Sequence, residues 1–334
     1  KRLPNKDWLI KKSPSAINKN IVIRTIWQTF FLSKSVKKND CDVLFVPGGI
    51  YLGSFRPIVS MSQNLLPFDK TEFLRFGFSR TTLRFILLRI FQSRTFKKSD
   101  GIIFLTKYAR EAVRKVAGDF PASTIISHGI SSQFFLETKK HNHFDLEDHS
   151  KSIRIVYVSI VNHYKHQWNV VKAVEKLRKE YGYSIKLDLI GPNYPSAKKK
   201  LDEQIILSDS KNEWVEYHNS IPHEQLQKFY INSDIAVFAS SCENLPIILL
   251  EKMASGLPIA CSNKRPMPDV LENAGLYFDP ENYEDISFKL LELVKSRELR
   301  ISLSKKSYEK AQKYNWRDCS QATFKYLTNI INRK

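Results

Sequence analysis

Along the chain, short runs rich in β-branched residues alternate with longer stretches whose apolar positions recur at helical spacing. In the second half the runs predict strands at Ile153–Ser159, Ser184–Ile190, Glu213–Tyr217, Asp234–Ala239, Leu257–Cys261 and Gly275–Phe278. Helices at Gln167–Tyr181, Pro222–Ile231 and Pro246–Ser255 fall between most of them. In the first half strands are predicted at Val43–Val46, Ile58–Met61, Gly101–Leu105 and Ser123–Ser127, with long helices at Ile21–Lys38 and Phe73–Phe96. This alternation predicts an α/β protein with parallel sheets covered by helices. The polar stretch Thr138–Ser152 reads as an interdomain linker. It separates a first domain over residues 1–140 from a second over residues 151–334. The first half offers four strands where the second offers six, and the chain opens on Lys1, so a first strand, its loop and a helix are read as absent. A short, divergent first domain is the alternative.

Composition narrows the class. With 42% hydrophobic and 26% charged residues over 334 positions, the chain has the balance of a globular protein large enough for two cores. The four cysteines lack paired or metal-ligand spacing and are expected to be reduced. No run of 18 uncharged apolar residues and no signal-like opening is present, so a cytosolic location is expected. The net charge of +19 is uneven: residues 1–140 carry +16 and residues 141–334 only +3. That asymmetry suggests an anionic surface as partner of the first half.

The most informative chemistry is a pair of glutamates eight positions apart, Glu243 and Glu251, in SSCENLPIILLEKMASGLPIACS. Glu251 lies in an apolar run, where a carboxylate is costly to bury without a partner. Lys252 points about 100° away on a helix, so a hydroxyl-rich ligand is expected to supply the partner. Strand Asp234–Ala239 runs into the loop Ser240–Asn244 and then a helix opening near Pro246, a suitable first-turn residue. Ligands of open α/β sheets sit at the carboxyl ends of strands against helix N-termini, whose N–H groups attract phosphate. Glu243 is thus placed at the mouth of an anion site, with Glu251 two turns further on. Spacing alone still favours the plainer account, an N-terminal Glu favoured by the helix dipole and an ordinary half-buried Glu.

The stretch FASSCENLPIILLEKMASGLPIACSNKRPMPDVLENAGLYFDP resembles the signature region of glycosyltransferase family 4, and this changes the weighting. Glu243, Glu251, Gly256 and Pro258 fit its Glu-x7-Glu and Gly-x-Pro pattern. YVSIVNHYKHQWNVVKAVEKL, EYHNSIPHEQLQKFYINSDI, SHGISSQFF, DVLFVPGG, RPIVSMSQNLLPF and NWRD near Trp316 are similar to flanking family segments. The resemblance implies the GT-B fold, two Rossmann-like domains facing across a cleft, with the helix from about residue 316 packing back on the first. It implies a retaining, metal-independent transferase using nucleotide sugars, of the kind that builds bacterial surface polysaccharides on lipid carriers. Glu243 would contact the donor sugar, Lys165 would neutralise the diphosphate, and Glu251 would bind the ribose hydroxyls. Asn244, Leu245, Gly191 and Arg265 join the donor set; Gln63, Asn64, Gly48 and Gly49 fall on acceptor or cleft loops. No metal ligands and no cofactor beyond the donor are implied.

The departures are specific. Ser159 and Ile160 stand where the family carries an arginine, leaving Arg265 as a substitute second cation. Gln63-Asn64 replaces a histidine, which excludes acid–base work by an amide. Asn244-Leu245-Pro246 replaces a glycine, and the glycine-rich loop after the first strand is missing. These motivate a second reading, a non-catalytic nucleotide-sugar or membrane-binding protein.

In the first domain, Phe73–Lys98 mixes aromatics with arginines. On a helix Arg80, Arg84, Arg94 and Lys98 share one arc, with Arg75 and Arg89 opposite. A basic amphipathic helix suits the inner face of an anionic membrane; a helix packed on the sheet with snorkelling arginines is the alternative. Nucleic acid is not expected as a partner, since no binding motif accompanies the charge.

Overall fold

The computed structural model describes residues 5–136 and 152–333, so the linker read at Thr138–Ser152 lies almost wholly outside the described residues. Two parallel sheets are present. The first joins β1 (Leu44–Val46), β2 (Ile58–Ser62), β3 (Gly101–Phe104) and β4 (Ser123–Ile125) in simple sequential order. The second comprises β5 (Ile153–Val158), β6 (Ile185–Ile190), β7 (Val215–Tyr217), β8 (Ile235–Phe238), β9 (Ile259–Ser262) and β10 (Leu276–Phe278), in the order β10-β9-β8-β5-β6-β7. All ten strands lie within two residues of those expected. They are legible because helices cover both faces, so a central strand such as β5 buries Ile155, Val156, Tyr157 and Val158 in succession.

The helices depart more from expectation. The region read as one helix over Ile21–Lys38 is two, α1 (Ile21–Phe30) and α2 (Leu32–Lys38). Phe73–Phe96 is likewise broken into α3 (Lys70–Leu74) and α4 (Arg80–Lys98). Gly77 takes a positive φ of 61° between them, and Ser79 caps α4 by accepting from Thr82 N at 3.2 Å. Arg75 therefore leaves the helix face assigned to it. It bridges the domains instead, pairing with Glu72 (2.8 Å) and with Glu281 of the second domain (2.7 Å).

α5 (Lys107–Ala117) follows β3. In the second domain α6 (Gln167–Tyr181) follows β5, α7 (Pro195–Ser208) follows β6, and α8 (Leu226–Ile231) precedes β8. α9 (Ile247–Ala254), α10 (Met267–Leu271), α11 (Tyr283–Lys295), α12 (Arg297–Ala311) and α13 (Trp316–Ile331) complete the chain. Helices α5, α7, α10, α11 and α12 are additions to those expected. α13 returns to the first domain: a side chain at Gly101 of β3 would strike Tyr326 and Ile330. Gly129 likewise leaves room for the backbone at Asn315 and Trp316, and Ile130 bridges to Asn315. The carboxyl ends of the two sheets meet, Asn244 after β8 touching Ser62 of β2.

Candidate active site

The second sheet changes direction between β5 and β8. Chain leaving β5 goes one way along the sheet and chain leaving β8 the other, which opens a crevice at the carboxyl ends. The two loops that border it carry the charged pair. After β5, a short 3-10 turn (His163–Lys165) is fixed by Asn162, whose Oδ1 accepts from His163 N at 2.7 Å. After β8, Ser241 N donates to Tyr164 O at 2.9 Å, which ties one loop to the other. Lys165 and Glu243 then form an ion pair, with side chains 5% and 15% exposed. His166, in the left-handed conformation at φ 49°, bonds Ser241 Oγ through Nε2 at 3.0 Å. Burial lowers its pKa to about 4, so its ring is neutral at ordinary pH.

Glu251 is 3% exposed on α9. The expectation of an outside partner is corrected: the chain supplies two. His223 Nε2 lies 2.8 Å from one carboxylate oxygen, and the Tyr230 hydroxyl donates to the other at 3.4 Å. Burial raises the Glu251 pKa, and the His223 hydrogen bond opposes the rise. His223 remains 54% exposed at the side chain, so the carboxylate has a solvent-facing rim. α9 itself opens at Pro246 with no side-chain cap.

The remaining predicted residues divide between the two sides. Asn244 and Leu245 are buried. Asn244 Nδ2 donates to Ser62 O at 3.1 Å, and Thr106 Oγ1 donates to Asn244 O at 3.0 Å, so this residue latches the domains. Its Oδ1 is buried without a hydrogen-bond partner. Gly191 takes φ 145° at the end of β6, pressed on the carbonyl of Ser159 where no side chain fits. Arg265 is committed elsewhere, to Asp269 at 2.8 Å and to Glu111 of the first domain at 3.5 Å. Gln63 reaches only Met61 Sδ at 3.2 Å, while Asn64 Oδ1 accepts from Leu66 N at 3.1 Å and shapes its own turn. Gly48 and Gly49 follow β1, Gly49 at φ 69° against Met61 O and Gln92.

Three contributors escaped the sequence: His223, Tyr230 and His166. The first two had a signal, since residues seven apart share one helical face in PHEQLQKFY. A separate cluster, Asp188, Glu216 and His218, has ligand atoms within 4.8 Å of one another. His218 turns Nε2 to Asp188 (2.7 Å) and Nδ1 to Glu216 (3.5 Å), and Arg154 also pairs with Asp188 (3.0 Å). The imidazole thus spans two carboxylates rather than converging with them on one point.

Comparison with known proteins gives the frame for this geometry. Residues 138–310 match the family described as glycosyl transferases group 1. The O-antigen chain mannosyltransferase B of Escherichia coli is 28% identical over 120 residues, 36% of this chain and 32% of that protein. The N,N'-diacetylbacillosaminyl-diphospho-undecaprenol alpha-1,3-N-acetylgalactosaminyltransferase of Campylobacter jejuni is 30% identical over 102 residues, 30% of this chain and 27% of that protein. Each match therefore spans less than a third of its relative. Among solved structures, Anabaena HepE in complex with UDP and glucose aligns with a TM-score of 0.68 at 14% identity, over 88% of this chain and 80% of that one. That likeness establishes the GT-B fold.

Proposed function

The chain belongs to the glycosyl transferases group 1 family, and from that premise we propose that it moves a sugar from a nucleoside-diphosphate donor to a glycan or lipid-linked acceptor, retaining the anomeric configuration, in surface polysaccharide synthesis. The observation that carries this reading is the ion pair of buried Lys165 with half-buried Glu243 at the switch point, with Glu251 on the helix beyond it. The pair supplies one movable cation to an entering anion. As the bond from the sugar C1 to the diphosphate oxygen breaks, negative charge grows on the leaving phosphate, and a preplaced ammonium stabilises it most at that point. The acceptor oxygen bonds C1 on the same face, and its proton passes to the departing phosphate oxygen. Glu243, released from Lys165, faces the donor sugar. Glu251 takes the ribose hydroxyls while His223 and Tyr230 hold its geometry. Charge neutralisation by Lys165 makes this mechanism independent of a metal ion.

The names of the two relatives support a polysaccharide or diphospholipid acceptor, and UDP in HepE makes uridine diphosphate the first nucleotide to try. For the first domain, we read a peripheral site on an anionic membrane, at its cytoplasmic face. Leu83, Leu87 and Ile90 stand exposed on α4 beside Arg84 and Arg94, and Val22, Ile26 and Phe30 stand exposed on α1. No described helix is long and apolar enough to cross a membrane.

The test is a panel of nucleotide sugars with a polyprenyl-diphosphate-linked sugar acceptor, products read by NMR. Transfer with the donor's anomeric configuration kept is the expected result. Neither transfer nor hydrolysis with any donor contradicts the reading.

A further inference from the structure

Lys252 follows Glu251 directly and takes no part in the mechanism above, yet it is among the most deeply buried charged side chains of the protein, at 0% exposure. An isolated ammonium is costly to bury. Its surroundings show what holds it. Its Nζ donates to Val237 O of β8 at 2.7 Å and reaches Val158 O of β5 at 3.4 Å, so it spans the two strands on either side of the switch point. It lies 5.0 Å from the ring centroid of Tyr157 and 4.9 Å from that of Phe238. The ammonium of Lys165 lies 5.2 Å from the same Phe238 ring. Tyr157 completes the connection, its hydroxyl donating to the Lys165 carbonyl at 2.6 Å. Both ammoniums therefore lie against the Phe238 ring, the buried Lys252 close to the lysine of the charged pair.

We infer that Lys252 is a positioning residue: a second, buried positive charge under the Lys165–Glu243 pair, which takes up a proton when a nucleoside diphosphate enters the crevice. The inference rests on the donor-site reading and supplies what the first-layer residues lack. Ser159 and Ile160 bring no cation to the β5 loop, and Arg265 is engaged by Asp269 and Glu111.

The direction follows from the groups around Lys252. Its pKa is lowered to about 7, burial being the largest influence and Lys165, on the β5 loop, acting in the same direction. Cys261 of β9, Glu251 of its own helix and Glu243 of the β8 loop act the other way. At pH 7.5 the free protein thus holds Lys252 partly deprotonated. A diphosphate brings two or more negative charges next to Lys165 and engages that ammonium, so Glu243 loses its partner. Both changes favour the charged form of Lys252. Binding is then coupled to proton uptake, and each unit by which binding raises the pKa makes a tenfold difference in affinity across the titration.

The experiment is calorimetric titration of UDP into the whole protein at pH 7.5–8.5, in two buffers of different ionisation enthalpy. This range lies above the titration of the terminal phosphate, near pH 6. The expected result is net uptake of a fraction of a proton per UDP, with affinity falling as pH rises. In Lys252→Met, and in Lys252→Gln should the first fold poorly, the uptake is absent and affinity is flat over the same range. A lysine that served only to satisfy strand-end carbonyls would alter stability but not proton uptake. UDP binding without uptake in the wild type, or with equal uptake in the variants, overturns the inference and leaves the donor site standing. Failure of UDP, GDP and ADP alike to bind overturns both.

Discussion

The two sheets of this protein are built from the same parallel units, yet only one of them reverses its strand order. The second sheet turns between β5 and β8, and the turn is where Lys165, Glu243 and Lys252 gather, with Glu251 one residue from Lys252 on α9. The first sheet runs β1 to β4 without reversal among the described residues. Its facing loops offer amides and glycines: Gly48 and Gly49 after β1, Gln63 and Asn64 after β2. The positive charge of the first domain lies instead on its surface helices. Topology thus decides where charge can be buried to purpose. A reversal parts two loops and leaves a crevice with paired, largely desolvated ions, whereas the buried charge of the first domain, Glu72, lies on α3 and pairs with Arg75.

Removing a charge from the crevice is the strongest way to sharpen that contrast. Lys165→Ala is expected to lower the transfer rate by roughly 10²–10³, and it leaves Glu243 unpaired; steady-state kinetics with the active donor measures it. An effect under tenfold would place the catalytic cation elsewhere.

The buried lysine makes a distinct prediction about stability. Its pKa is lowered in the folded protein, from 10.5 to about 7, so folding releases a proton between those values. The wild type therefore gains stability relative to Lys252→Met as pH rises from 7 to about 10, by up to about 1.4 kcal/mol per pH unit. Below pH 7 the difference is constant. Denaturant titrations at three pH values check the sign; a flat difference would mean that Lys252 titrates normally.

At the rim, Arg75 pairs with Glu72 and with Glu281 of the other domain. Arg75→Ala leaves Glu72, whose pKa burial already raises, without its cation. A loss of about 1–3 kcal/mol is expected, larger than for a surface pair and visible as a lowered melting temperature. Asn64→Ala should do least. It removes one turn hydrogen bond to Leu66 N, about 1 kcal/mol, and leaves UDP affinity unchanged within about twofold. A larger loss of UDP affinity would bring the first-domain loop into the donor site and erase the contrast.

Most strands were legible because they read as compact apolar runs, β4 (Ser-Thr-Ile) and β7 (Val-Glu-Tyr) being more polar, and the switch-point loops because the segment around Glu-x7-Glu resembles a family signature. Helix α12 was not, because its buried face is polar: Arg300 is 1% exposed and donates to Leu293 O and Val294 O, each at 2.8 Å, and Ser304 donates to Gly256 O. The partners of Glu251 were hidden for a different reason. His223 and Tyr230 lie 28 and 21 positions upstream and reach α9 only once the segment before β8 folds over it. Lys252 was read as pointing away from Glu251, and it does, but toward the strand ends rather than solvent. Spacing gives the angle between neighbours on a helix; it does not say which of the two directions is buried.

In the reading proposed above, the charged crevice of the second domain is a nucleoside-diphosphate site with Glu251 on the ribose. Calorimetric titration of UDP, GDP and ADP into the wild type and Glu251→Ala tests it most directly. Saturable binding of at least one of them is expected, weakened about 30- to 150-fold in Glu251→Ala, which corresponds to the roughly 2–3 kcal/mol of a lost charged hydrogen bond. Equal affinity in wild type and variant, or no binding of any of the three to the folded wild type, would contradict it.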